Sequence, residues 1–172
     1  RWRSISSFGI ISSSWFFADG FTLEGSRERL ILANPFPESA VVNMSFSTAD
    51  GQRRPTALQG FIMPARSVKS FDMSKEGASE EQLLAIEVRA TTGKIIASRA
   101  QHYLGGGRLG YSTTLGTPLA RNKWWFAGGQ TAANTIEKLV LYNPAEQDIT
   151  VDAVFLHQEL NATVDSAGSV PP

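Results

Sequence analysis

The chain has no cysteine among its 172 residues. That excludes disulfides and thiolate metal sites and leaves the redox compartment open. Its only histidines are His102 and His157, too few for a histidine-rich metal centre. Sixteen basic residues cancel sixteen acidic ones, and neither sign forms a long run. A chain without a basic stripe has no electrostatic footprint for nucleic acid or for an anionic membrane. No apolar run is long enough to read as a membrane-spanning helix, so membrane insertion is not expected. Helical patterning is equally scarce. The one helix-prone stretch is Ser74–Gln82, with Ser79 as an N-cap and Gln82 at the capping-box position, and it is short enough to read as a loop turn. The chain opens at Arg1 without a charged-then-apolar leader, as expected of a processed or trimmed piece.

What is present is a repeat. Apolar residues make up 42% of the chain, enough for packed cores rather than disorder. Trp15-Phe16-Phe17-Ala18-Asp19-Gly20 returns as Trp124-Trp125-Phe126-Ala127-Gly128-Gly129. At the same offset of 109 (139 minus 30), Leu30-Ile31-Leu32-Ala33-Asn34-Pro35 meets Leu139-Val140-Leu141-Tyr142-Asn143-Pro144, and Phe46 meets Phe155. A fixed period with apolar, Gly and Asn-Pro positions in phase marks an internal repeat.

Within the period the signals are those of strands. Trp15–Ala18 is closed by the turn pair Asp19-Gly20, and Leu30–Ala33 is ended by Asn34-Pro35 because proline cannot donate to a ladder. In Ala40–Ser47, Val42, Met44 and Phe46 alternate with polar or outward residues, and Asp50-Gly51 supplies a hairpin turn. Thr56–Met63 and Val68–Asp72 read as shorter strands. Leu84, Ile86, Val88 and Ala90 alternate again, Thr92-Gly93 reads as a hairpin turn into Lys94–Leu104, and Gly105-Gly106-Gly107 reads as a flexible loop before Leu109–Leu115. About seven strands with regular turn signals and no crossover helices predict an all-β, immunoglobulin-like two-sheet sandwich, with a closed barrel as the alternative.

The expected organisation is one complete repeat plus part of a second. Residues 1–14 read as an extended arm, or as the last strand of a preceding repeat. Residues 15–123 form the whole sandwich, and 124–172 the first half of the next. A half-sandwich of 49 residues (172 minus 123) cannot bury enough surface alone. It is expected to be covered by the arm, by another molecule or by further chain.

The two opening blocks and the Leu-x-Leu-x-Asn-Pro strands resemble tandem β-sandwich repeats of large secreted or surface-attached bacterial proteins. Trp15–Thr22 matches their Trp-aromatic-Phe-Ala-acidic-Gly-aromatic-Thr opening. The resemblance implies an extracellular or cell-surface location and carries no active site. The second copy departs from it, with Gly128 and Gln130 where Asp19 and Phe21 stand.

No catalytic constellation is expected. Thr92-Gly93-Lys94 lacks the first glycine of a phosphate loop, Val88 standing in its place. The triple glycine precedes no helix, and no Gly-x-Ser-x-Gly elbow exists. Asp19 and Asp50 precede glycine, where turn chemistry accounts for them, and no calcium loop appears. Asn43-Met44-Ser45 and Asn161-Ala162-Thr163 match the glycosylation sequon but so short a pattern is common. Neither cofactor nor metal is expected. The candidate interaction residues are aromatic and apolar: Trp2, Ile5, Phe8, Trp15, Trp124 and Trp125. Each repeat can spend its tryptophan on a core, or an exposed row can stack on sugar rings. The leading expectation is a non-enzymatic structural or adhesion module, with neighbouring repeats or identical subunits as partners and a filament built by strand donation. A carbohydrate or cell-wall polymer binding module is the alternative, and a loop-built hydrolase a third.

Overall fold

The computed structural model describes residues 11–129, 133–155 and 166–170. The chain divides into two compact units, Arg1–Trp125 and Phe126–Pro172.

Unit 1 is an all-β sandwich of two antiparallel sheets. In the first sheet β1 (Ser14–Gly20) pairs with β7 (Leu84–Thr92), which pairs with β3 (Ala40–Thr48). β4 (Gly51–Arg53) and β5 (Phe61–Met63) then take opposite ends of the outer edge of β3. The second sheet runs in the order β6 (Ser67–Asp72), β2 (Arg27–Asn34), β8 (Ile96–Gly105), β9 (Arg108–Leu115). The period-2 patterns explain the layers. Val42, Met44 and Phe46 of β3 and Ile86 and Val88 of β7 face Leu30 and Leu32 of β2, and all are fully buried in one core. Trp15 sits in that core, its indole N–H donating to the Ile95 carbonyl at 3.1 Å. At the side, the chain leaving β9 crosses sheets: Thr117 and Phe16 exchange backbone hydrogen bonds of 2.8 and 2.9 Å, which closes that edge. The architecture is that of an immunoglobulin-like sandwich with its own strand order, since β7 and β8 lie in different sheets.

Several local expectations change. Thr92-Gly93 is a corner between sheets, not a hairpin turn. The triple glycine is a tight hairpin turn rather than a loose loop: Gly105 pairs with Arg108, and Gly106 and Gly107 take φ of +58° and +76°, the mirror-image turn that matches strand twist. Thr56–Met63 is not one strand. A 3-10 turn at Thr56–Leu58 drops Leu58 into the core before β5, and Gln59 ties it to the Met44 carbonyl at 2.7 Å. Ser74–Gln82 forms turns without a helix. Thr22 captures it instead, accepting from the Glu81 amide at 3.0 Å and donating to the Ala78 carbonyl at 2.6 Å, while Glu80 takes φ of +59°. Of the expected arm, residues 1–10 lie outside the described residues, and its end is part of the sandwich. Ser12 already pairs with Ile95, and Ser13 accepts from the Ala90 amide; both belong to the sandwich.

In unit 2 the described strands are β10 (Ile149–Ala153) and β11 (Ser166–Val170), an antiparallel pair with Ile149 opposite Val170. β10 falls on the counterpart of Ala40–Met44 (149 minus 109, 153 minus 109), so the pair is the counterpart of the β3–β5 hairpin. It is shifted by two residues, the counterpart of Ala40 facing that of Phe61 rather than Met63. The expected strands at Trp124–Ala127 and Leu139–Tyr142 do not form. Pairing explains this. β1 needs β7, and β2 needs β6 and β8, none of which has a counterpart within residues 124–172, whereas the hairpin is local. Core-phase side chains are exposed accordingly: Phe126, Leu139 and Phe155 are 67%, 45% and 56% exposed, against 3%, 0% and 0% for Phe17, Leu30 and Phe46.

Candidate functional site

The opening motif is accounted for position by position. Trp15 and Phe17 point into the core. Asp19 accepts from Arg108 Nη1 at 2.9 Å, and the Tyr103 hydroxyl lies 3.4 Å from its second oxygen. Phe21 is buried, with the Arg108 guanidinium 5.0 Å from its ring centre. The Gln101 side chain completes its backbone, accepting from Phe21 N–H at 3.2 Å and donating to its carbonyl at 2.7 Å. Thr22 holds the 74–82 loop as described above.

Behind this motif lies a buried charge cluster that joins the two sheets. Glu28 of β2 points inward, fully buried, with neither carboxylate oxygen accepting a hydrogen bond of normal geometry. Arg99 of β8 approaches to 3.8 Å, donates to the Asp19 carbonyl and lies over the Phe17 ring. Burial pushes the Glu28 carboxyl up to about 7, against the opposing pull of Arg99. Burial likewise raises the Tyr103 hydroxyl, with the Asp19 charge adding to it. Gly20 is required here. A Cβ on it would stand 2.3 Å from Glu28 Oε2 and 2.7 Å from the Leu84 carbonyl. The Gly20 backbone thus walls the carboxyl from solvent, and the chemistry of this cluster is tying one sheet to the other.

The described members of the sequence-predicted interaction set fall in two environments. Trp2, Ile5 and Phe8 lie outside the described residues. Trp15 is buried, so it cannot belong to an exposed aromatic row; its large apolar surface is used by the core. Trp124 and Trp125 are exposed. The Trp124 indole donates to the Arg121 carbonyl at 3.0 Å, and the Lys123 ammonium stands 4.9 Å from the Trp125 ring centre. Among the described residues, no three His, Asp or Glu side chains are grouped to hold a metal ion, and no helix is long and apolar enough to cross a membrane. Sequence reasoning missed the Glu28–Arg99 pair. The available signal was the phase, since Gly20 and Glu28 recur as Gly129 and Glu137 at the same offset of 109.

Fold and motif together define a two-sheet β-sandwich module whose opening block is built for packing. The chain belongs to the family of unknown function DUF5719, whose model matches residues 11–108. No curated protein sequence matches it significantly. Among solved structures, it is similar to the crystal structure of Thermotoga maritima 1070, with 18% identity over 62% of this chain and 93% of that one and a TM-score of 0.51. The Anabaena sensory rhodopsin transducer is also similar, at 18% identity over 53% of this chain and 88% of that one, with a TM-score of 0.44. At 18% identity the likeness to the Thermotoga maritima structure is one of fold.

Proposed function

We propose that the chain is a non-enzymatic structural or adhesion module of an extracellular tandem array, in which unit 2 is completed by strands from a neighbouring repeat or an identical subunit. The observation that carries this reading is the exposure of Phe126, Leu139, Leu141 and Phe155, at positions that unit 1 uses for its core. Covering each would contribute about 1.5–3 kcal/mol. A partner that brings backbone as well as apolar side chains gains twice, because β10 and β11 pair only with each other among the described residues. The donor is the arm, now residues 1–10. It is in phase with the strand that ends unit 1: Trp2 corresponds to Tyr111 of β9 (111 minus 109). Donor and acceptor are different surfaces, so the contact is head-to-tail and propagates a filament. The extracellular assignment rests on the resemblance to surface repeats.

Light scattering tests it. The full chain should exceed monomer size, and deletion of residues 1–10 should return it to monomer. A monomeric full chain, or assembly that persists without the arm, rejects strand donation. A second reading is favoured by one observation, the open face of Trp125 beside Lys123, which suits stacking of a sugar ring.

A further inference from the structure

The outer face of the second sheet carries a feature that neither packing nor assembly of the repeat uses. Register brings two rows of side chains together there. Arg27, His102 and Tyr111 stand side by side on β2, β8 and β9, and Arg29, Ala100 and Thr113 form the next row. They line a shallow depression of about 600 Å³. Its floor is low because Ala100 is small and the flanking arginines and tyrosine are long. With strands about 4.8 Å apart, Arg27 and Tyr111 lie about 10 Å from each other, and the rows are about 7 Å apart. That is the footprint of one or two sugar rings.

Two features of this face point to a ligand. First, the Tyr111 ring stacks on the His102 ring at 4.3 Å and 11° while Tyr111 remains 82% exposed. One ring face is held, and the other is open as a stacking platform. Second, the charge is unbalanced. Asp72 lies 3.8 Å from Arg27 and opposite Arg29 in the ladder, and among the described residues its ion pair is with Arg27 alone. Arg29 is exposed and forms no ion pair among the described residues. An unpaired guanidinium fork selects a planar anion.

We propose that this depression binds an acidic saccharide, with the sugar ring lying on Tyr111, its carboxylate taken by Arg29 and a hydroxyl reaching Thr113. The site is separate from Trp125 and independent of strand donation.

Calorimetric titration of the full chain with oligogalacturonate, with maltodextrin of equal length and with a polyphosphate chain tests it. Oligogalacturonate should bind, and maltodextrin should bind at least about tenfold more weakly, since a charged hydrogen bond lost is worth about that factor. Arg29→Gln and Tyr111→Ala should each weaken oligogalacturonate binding about tenfold while leaving the thermal midpoint unchanged, because both side chains are exposed. Trp125→Ala should leave it untouched. Equal binding of maltodextrin, a preference for polyphosphate over oligogalacturonate, or full affinity in Arg29→Gln would each overturn the assignment. If binding follows Trp125 alone, the aromatic site is the saccharide site and this one is not.

Discussion

Phe46 and Phe155 occupy the same position in the repeat, and the first is fully buried while the second is more than half exposed. The two units share more than a pattern. Asn34 donates to the Glu38 carbonyl at 2.8 Å and accepts from the Phe36 amide at 3.1 Å. Asn143 does the same to Gln147 and from Ala145 at 2.8 and 3.0 Å, every partner 109 residues on. Local turns and the local hairpin therefore form in both units, while strands that need distant partners form in one. In this sandwich the non-local strands β6, β7 and β8 turn an alternating sequence into a buried face. Long-range pairing, not local propensity, makes the core.

The largest expected effect breaks the comparison at its centre. Phe46→Ala should destabilise unit 1 by about 3–5 kcal/mol, the cost of an emptied aromatic site. Phe155→Ala should change the stability of the isolated chain by no more than about 0.5 kcal/mol, as at other exposed positions. Urea unfolding of both variants reads the difference. Equal losses would mean that unit 2 has a core of its own in solution. If strand donation holds, Phe155→Ala should instead lower the mass measured by light scattering.

The strands of unit 1 were legible wherever a side chain's face followed period 2, as in β3 and β7. Thr56–Met63 misled because its apolar residues serve two purposes: Leu58 plugs the core from a turn, and Phe61 begins a strand. Glu28 was illegible for a different reason. Flanked by Arg27 and Arg29, it reads as part of a solvated charged stretch, and only the partner Arg99 and the bare Cα of Gly20 make its burial tolerable. The depression on the sheet face has no linear signature at all. Its residues come from three stretches of sequence that only ladder register aligns.

A smaller effect concerns pH. Burial holds the Glu28 carboxyl at about 7 in the folded protein, against 4.5 without it. The folded state therefore binds this proton more tightly than the unfolded chain does. Its contribution to stability is whole below about pH 4.5 and is lost as pH rises through about 7. The shift corresponds to about 3 kcal/mol. Arg99 from β8 and Asp19 from β1 are the charges that face it. Glu28→Gln keeps the shape without the ionisation, so its urea midpoint should gain on that of the native chain between about pH 5 and pH 8. Parallel profiles would show that the carboxyl is hydrated in solution.

The smallest effect is the most discriminating, because it sets Gly20 against Gly129. Neither glycine has a positive φ, so alanine fits both backbones and only the surroundings decide. At Gly20 the new methyl meets the Glu28 carboxylate and also the Leu84 carbonyl. The latter is backbone of β7 and cannot move without shifting a central strand. Gly20→Ala should cost about 1–3 kcal/mol, as overpacking does. At Gly129 the three atoms nearest the methyl all belong to the Glu137 carboxylate, the first at 2.5 Å, and both residues are exposed. The far end of an exposed side chain yields more cheaply than strand backbone, and alanine restricts the unfolded chain more than glycine does. Gly129→Ala should thus cost the monomer less than Gly20→Ala does. Assembly changes the expectation. If a donated strand covers unit 2 at this corner, the Gly129–Glu137 pair becomes as confined as Gly20–Glu28. Gly129→Ala should then weaken association as well. Association unaffected by the methyl would show that the partner covers unit 2 elsewhere, away from this corner.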